Sequence, residues 1–282
     1  MHSIQAIYAL SIQSSLPKRC LQGKASRVGS IEIHNLHKAY GNSSTLVLEG
    51  INLAISESDF VCLLGPSGCG KSTVLNMVAG FDFPTGGEIF HDGQRVTRPS
   101  PRRAMIFQDV QGSLFSWLSV RQNVEFGPRM QGVDASERVD LVGKYIELVG
   151  LTDFAQYYPY QLSGGMKQRV QIARALANNP DVLLMDEPFG ALDAQTRGAL
   201  QGELERIWNE TKKTVLFVTH DISESVRLAD RIVVFSKGPR ASVLDTIAVD
   251  MPRPRELGSA PFTRIYRQVE SLLHSSITAV TR

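Results

Sequence analysis

The chain has 282 residues, 43% hydrophobic and 21% charged, an ordinary globular composition with material for a sizeable core. Thirty basic residues against 28 acidic ones leave a formal charge of +2, which excludes the strongly basic profile of a nucleic-acid binder. No uncharged apolar run reaches the ~20 residues that span a bilayer. Three widely spaced cysteines make no disulfide framework and fit a reducing compartment.

Residues 1–30 are expected to form a disordered extension. Its apolar positions (Ile4, Ile7, Leu10) precede Lys18 and Arg19, the reverse of a secretory signal. Regular patterning starts at Ile31–His37. Short β-rich runs follow at Phe60–Leu64, Ala104–Phe107, Val182–Met185, Val215–Val218 and Ile232–Phe235. Helical periodicity lies between several of them. Leu200, Leu204, Ile207 and Trp208 share one face, and so do Val139, Val142, Ile146 and Val149. Strands alternating with helices predict an α/β fold with a mostly parallel sheet covered on both sides. Residues 109–160 lack strong strand runs and read as a helical insertion.

The segment from Gly65 to Thr73 reads GPSGCGKST: Gly65, Pro66, Ser67, Gly68, Cys69, Gly70, Lys71, Ser72, Thr73. A β-rich run precedes it and a helical pattern to Ala79 follows, the context a phosphate-binding loop needs. The glycines let the backbone turn its N–H groups toward a phosphate, and the helix N-terminus adds a favourable dipole. Lys71 supplies positive charge for the β- and γ-phosphates, and Ser72 a hydroxyl for Mg²⁺. Cys62 and Cys69 read as small residues that fit, although a helix N-terminus would lower the Cys69 thiol pKa and favour thiol reagents there.

Val182 to Pro188 read VLLMDEP, a buried strand ending in two carboxylates. Open α/β sheets bind ligands at such ends. Asp186 is placed to hold Mg²⁺, and Glu187 to face an attacking water. Alone, the pair would read as surface carboxylates; beside a phosphate loop it reads as the second half of the site.

Further motifs narrow the reading. Leu162 to Gln168 read LSGGMKQ, Gln108 closes the strand Ala104–Phe107, Ala191-Leu192-Asp193 follow the acidic pair, and His220 follows Val215–Val218. Taken in order over about residues 31–250, they resemble the ATP-binding subunits of ABC transporters. The resemblance implies a P-loop NTPase core with a mostly parallel sheet, a small antiparallel β part, and a helical subdomain (109–160) inserted between Gln108 and the signature. It implies ATP and Mg²⁺ as ligands. Tyr40 would stack on adenine. Gln108 would touch Mg²⁺ or water and link the site to the helical insertion. Ser72, Gln108 and Asp186 would form the metal set, with Glu187 as base and His220 on the γ-phosphate. Ser163, Gly164 and Gly165 would meet ATP bound to a second copy, across an interface that includes Asp193.

The implied partners are that second copy, two membrane permease subunits and an extracytoplasmic solute-binding protein, with no nucleic acid. The implied place is the cytoplasmic face of the inner membrane. Leu114, Phe115, Trp117 and Leu118 would meet the permease. The stretches Leu192–Ser236 and Met251–Glu256 are most similar to ATPases of nitrate, sulfonate and taurine importers, with a thiamine-precursor-type importer as the alternative solute class. Between Asp250 and Arg282 there is no room for the regulatory β-domain of sugar importers. Residues 251–282 read as a short basic tail, in which Arg253, Arg255, Arg264 and Arg267 lie either against acidic headgroups or permease, or on a solvated helix. DNA-repair and translation ATPases fit less well: sustained heptads and a second phosphate loop are absent from the sequence.

Overall fold

The computed structural model describes residues 29–41 and 45–279, so nearly all of the expected N-terminal extension lies outside the described residues. Its last two positions are tied down: the Gly29 and Ser30 N–H groups both donate to Asp92 Oδ1, at 2.8 and 2.9 Å.

Two sheets form the β layer. One is antiparallel, in the order β2-β1-β4-β5, built from β1 (Ile31–Ala39), β2 (Leu46–Ile55), β4 (Gly86–His91) and β5 (Gln94–Arg95). The other has six strands in the order β10-β9-β3-β8-β7-β6. Its members are β3 (Phe60–Leu64), β6 (Arg103–Ile106), β7 (Val182–Asp186), β8 (Thr214–Thr219), β9 (Arg231–Phe235) and β10 (Val243–Ala248). All its pairings are parallel except β9 with β10.

The central strands are apolar on both faces because both faces are covered. Phe60, Cys62 and Leu64 point into one core with Leu183, Met185, Val215 and Phe217. Val61 and Leu63 point into the other with Val182, Leu184, Leu216 and Val218. The second core is closed by the antiparallel sheet and by α1 (Lys71–Ala79), through Val74, Leu75 and Val78. Gly70 and Gly80 bracket that helix with φ of 96° and 85°, which glycine adopts without the Cβ clash of other residues.

After α2 (Val110–Ser113), the first core is closed by helices: α3 (Val120–Met130), α4 (Ala135–Leu148), α5 (Gly164–Ala177), α6 (Ala194–Thr211) and α7 (Ile222–Leu228). α3 starts at a capping box between Ser119 and Gln122, and both α3 and α4 pack on α5. The expected α6 stripe is buried in full at Leu200, Leu204, Ile207 and Trp208. The expected α4 stripe is shifted: Val142, Ile146 and Val149 are buried and Tyr145 joins them, but Val139 is 60% exposed. At that end Arg138 pairs with Glu125 at 2.9 Å and donates to the Val133 carbonyl, so polar contacts rather than Val139 hold α4 to α3.

The basic C-terminal segment is not a loose surface. α8 (Ala260–Ala279) buries Phe262, Ile265 and Val269, and packs on α7. Arg253 and Arg255 turn inward. Arg253 pairs with Asp230 at 2.7 Å and lies 4.4 Å from the Trp208 ring centroid. Arg255 donates to the carbonyls of Val226, Ala229 and Val249. These two cations satisfy buried carbonyls and a carboxylate and present nothing to a headgroup; Arg264 and Arg267 remain exposed.

Where the two sheets meet, Arg102 pairs with both Asp92 and Asp181, and buried His91 sits against them. Arg103 Nη1 lies 3.2 Å from His91 Nδ1 and can only donate, so Nδ1 accepts and Nε2 carries the proton. Burial, with the Arg102 charge next, lowers the His91 pKa to about 4. The neutral form is therefore the folded form. Its stabilisation is complete above the unfolded value of about 6.5 and is lost as pH falls from there through about 4, some ~3 kcal/mol in all. Urea midpoints measured from pH 7 to pH 4 should fall in the parent and fall less in His91→Gln. Parallel slopes would remove His91 from this role.

Candidate active site

The parallel register places three strand ends at one level: Leu64 pairs with Thr219, and Asp186 pairs with Val218. Each strand runs straight into a residue with chemistry. β3 enters the Gly65–Thr73 loop, β7 ends at Asp186 and Glu187, and β8 ends before His220. β6, beside β7, runs toward Gln108.

Lys71 is buried and folded back on its loop. Its Nζ donates to the Gly65 carbonyl at 2.7 Å and the Pro66 carbonyl at 2.9 Å. Ser72 lies in the first turn of α1, and its hydroxyl donates to Asp186 Oδ1 at 2.8 Å. Ser67 and Gly68 are exposed at the tip of the loop. Burial pushes the Asp186 pKa up, and the Glu187 charge adds to this, while the Ser72 hydrogen bond and Lys71 oppose it.

Glu187 has φ of 40°, a left-handed conformation that a non-glycine residue adopts only when its surroundings impose it. Its N–H donates to the Val218 carbonyl at 3.0 Å, and Gly190 N–H donates to its carbonyl at 3.1 Å. The side chain is thereby turned to His220, whose Nδ1 lies 3.0 Å from Glu187 Oε2. With the carboxylate ionised, Nδ1 is the donor. Gln108 is exposed, and a Cβ on Gly190 would lie 3.6 Å from its Nε2 and 3.8 Å from Glu187 Oε2. Gln108 and Glu187 thus flank the same glycine.

Tyr40 stands at the edge, 51% exposed. Two residues unmarked in the sequence hold it. Asp82 accepts its hydroxyl at 2.9 Å, and Lys38 Nζ lies 4.7 Å from its ring centroid. Lys38 in turn donates to Asp82 at 2.6 Å. The spacing of Lys38, Tyr40 and Asp82 along the chain carries no pattern that would have marked them.

The signature stands apart from this group. Ser163 caps α5 by accepting from Met166 N–H, and Ser163 and Gly164 are exposed. Gly165 is pressed against α6: a Cβ there would come within 2.9 Å of Thr196 Cγ2. Gly164 faces Leu192. Asp193 caps α6 by accepting from Thr196 N–H at 3.0 Å, which holds its carboxyl below the usual range. The α5 N-terminus therefore presents free N–H groups and a hydroxyl outward, beside Asp193.

Cys69 is placed as a small residue that fits, and not as a thiol activated by the helix N-terminus. It is fully buried under the loop, and burial pushes its pKa up against the opposing charge of Lys71. Desolvation outweighs the helix dipole here. Iodoacetamide at neutral pH should leave the Cys69 peptide unmodified in the folded chain and modify it fully in urea, as read by peptide mass. Rapid labelling of the folded chain would show that the loop opens.

A family model described as ABC transporter matches residues 48–190. The chain is 45% identical over 247 residues to a nitrate import ATP-binding protein of a Synechocystis strain, covering 87% of this chain and 92% of that protein. It is 46% identical over 231 residues to a bicarbonate transport ATP-binding protein of Synechococcus elongatus, covering 80% of this chain but only 34% of that longer protein. A dimeric ATP-binding cassette in a post-hydrolysis state, bound to ADP and Pi, superposes with a TM-score of 0.67 at 33% identity, covering 79% of this chain and 100% of that one. With the phosphate loop, the acidic strand end and the signature helix set on this fold, the chain belongs to the ABC transporter family and is an ATP-binding, ATP-hydrolysing cassette.

Proposed function

We propose that this cassette powers an importer of a small anion, by hydrolysing ATP between two copies of itself. The observation that carries the catalytic part is the contact of Glu187 with His220 beside that of Ser72 with Asp186, on adjacent strand ends.

ATP enters over the exposed loop tip, with adenine on the Tyr40 ring and phosphates against the N–H groups of Gly65–Thr73. Lys71 then exchanges the Gly65 and Pro66 carbonyls for phosphate oxygens. Ser72, Asp186 and Gln108 offer only oxygen ligands, a hard donor set that fits Mg²⁺. The half-buried Asp186 carboxyl, disfavoured as an anion, is suited to a divalent counter-ion. Bound Mg²⁺ would supply charge neutralisation at the phosphates. Glu187 accepts a hydrogen bond from the attacking water, and His220 orients both Glu187 and the terminal phosphate. Ser163, Gly164 and Gly165 of the second copy complete the pocket, a reading supported by the dimeric state of the ATP-binding cassette on which this chain superposes.

ATP turnover and nucleotide binding separate the roles. Glu187→Gln should lower kcat on the order of 10²-fold or more while ATP binding persists, the loss expected when a general base is removed. Lys71→Ala should weaken ATP binding about tenfold or more, as for a lost charge-assisted contact. Unchanged turnover in Glu187→Gln would take that residue out of the base role.

The transport reading is supported by the names of the relatives, a nitrate importer ATPase and a bicarbonate transporter ATPase, whose solutes are both small oxyanions. Among the described residues no helix is long and apolar enough to cross a membrane. Two permease subunits and a solute-binding protein would supply passage and recognition, with the cassette at the inner membrane's cytoplasmic face. Of the four residues expected to meet the permease, Leu114 and Phe115 are buried in the local core, so 63%-exposed Trp117 and partly exposed Leu118 would make the contact. A deletion strain should lose uptake of labelled nitrate, bicarbonate, taurine or an alkanesulfonate, and regain it with the parent chain but not with Glu187→Gln. Uptake of all four at parental rates in a strain without a redundant carrier would move the solute to the thiamine-precursor class.

A further inference from the structure

The proposal concerns a buried carboxylate that the mechanism above leaves unused, and it rests on the placement of His220 in that mechanism. Glu224 lies in the first turn of α7 and is 6% exposed. Asp221 caps that helix by accepting from the N–H groups of Ser223 and Glu224. Asp and Glu three residues apart at a helix start would ordinarily form a reciprocal box, the Glu returning to the cap N–H. Here that return is not made. The Asp221 N–H donates instead to Thr219 Oγ1 at 3.0 Å, and Glu224 is turned inward.

Its two oxygens are each committed. Thr219 Oγ1 accepts from Asp221, so its own proton goes to Glu224 Oε2, at 2.7 Å. Gln201 of α6 donates to Glu224 Oε1 at 3.1 Å. That amide cannot be reversed, because its oxygen accepts from Arg227 Nη1 at 2.9 Å and a guanidinium only donates. Thr219 and Gln201 are themselves 2% and 6% exposed. Arg197 of α6 lies 3.9 Å from Glu224 Oε1 and 4.0 Å from Asp221 Oδ2, and donates to the Leu192 carbonyl at 2.9 Å. Leu192 directly precedes Asp193.

We propose that Glu224 is a positioning residue for ATP hydrolysis: by fixing the Thr219 hydroxyl, which in turn holds the Asp221 N–H, its carboxylate sets the backbone on both sides of His220, and through Gln201 and the Arg197 charge it ties that placement to the loop carrying Asp193. His220 itself is 56% exposed on its side chain and has Glu187 as its contact. An imidazole so exposed owes its aim to the flanking backbone, and Glu224 and Thr219 hold that backbone from below. A misplacement of about 1 Å at a reacting group can lower turnover by up to about 10².

The test is steady-state ATPase activity of the full chain with paired variants. Thr219→Val removes the hydroxyl at nearly constant volume, and Thr219→Ser keeps it. Thr219→Val and Glu224→Ala should each lower kcat about tenfold with KM for ATP within about twofold, and Thr219→Ser should stay within about twofold of the parent in both. A loss of general packing would instead move Thr219→Ser and Thr219→Val together and lower ATP affinity with kcat. Equal kcat in the two Thr219 variants overturns the proposal, and the Thr219 pair decides it even where Glu224→Ala does not fold. His220→Ala separates the proposal from the reading beneath it. A large loss in His220→Ala with none in Thr219→Val removes Glu224 alone; parental turnover in His220→Ala removes the assigned role of His220 and the proposal with it.

Discussion

Parallel pairing of β3, β8 and β7 in one register is the constraint from which the site follows. Leu64 beside Thr219 and Asp186 beside Val218 put the next residues of each chain segment over one edge of the sheet. A slip of one residue in β8 would exchange Phe217 and Val218 between two cores that are both filled, so the packing forbids it. The register is thus held by apolar side chains on both faces, and the polar ends are placed as a consequence. No polar contact among Lys71, Ser72, Asp186, Glu187 and His220 has to generate the geometry that these residues use.

That edge is built at a local cost. Lys71 is buried with loop carbonyls as partners, Asp186 is an acid whose burial disfavours its charge, and Glu187 adopts a left-handed backbone. Each would be relieved by groups that a nucleotide and a divalent cation bring: phosphate oxygens for the lysine, and a cation for the carboxylate. Sites that hold their groups in disfavoured states lend stability to whichever ligand resolves them, and the two cores supply the stability that makes this tolerable.

The parts legible in the sequence are those where one physical requirement dominates. Phe60–Leu64, Val182–Met185 and Val215–Val218 are continuous apolar runs because helices or a second sheet cover both faces, and each coincides with a strand. β2 and β4 escape such a reading. β2 is interrupted by Gly50 at φ 64° and alternates only loosely, and β4 begins with two glycines. They are strands because β1 pairs with both, a tertiary reason. The phosphate loop and the acidic pair are legible because fixed spacing accompanies their chemistry, whereas His220 is marked only by its place in the family resemblance. Asp82, Lys38 and Glu224 are not legible, because what they hold lies many residues away or on another element. The arginines at 253 and 255 show the same limit from the other side. Their local sequence suggests a basic surface, and burial turns them into internal partners.

The site's two outward faces are joined by packing rather than by sequence proximity. Gly165, the second residue of the signature helix, lies against Thr196 and Leu200 of α6. One residue along α6, Gln201 grips Glu224, which grips Thr219, next to His220. A contiguous set of buried contacts therefore runs from the α5 N-terminus, which would meet a second copy's nucleotide, to the histidine beside Glu187. The absent side chain at Gly165 leaves α5 and α6 in van der Waals contact, so there is no slack to absorb a shift of α5. A ligand that draws Ser163 outward must either part α5 from α6 or carry α6 with it. Parting them would expose Leu200. The second course deforms less of the core, and it moves Gln201 and Arg197 against Glu224. Binding at one copy's signature would then be felt where that copy aims its own His220.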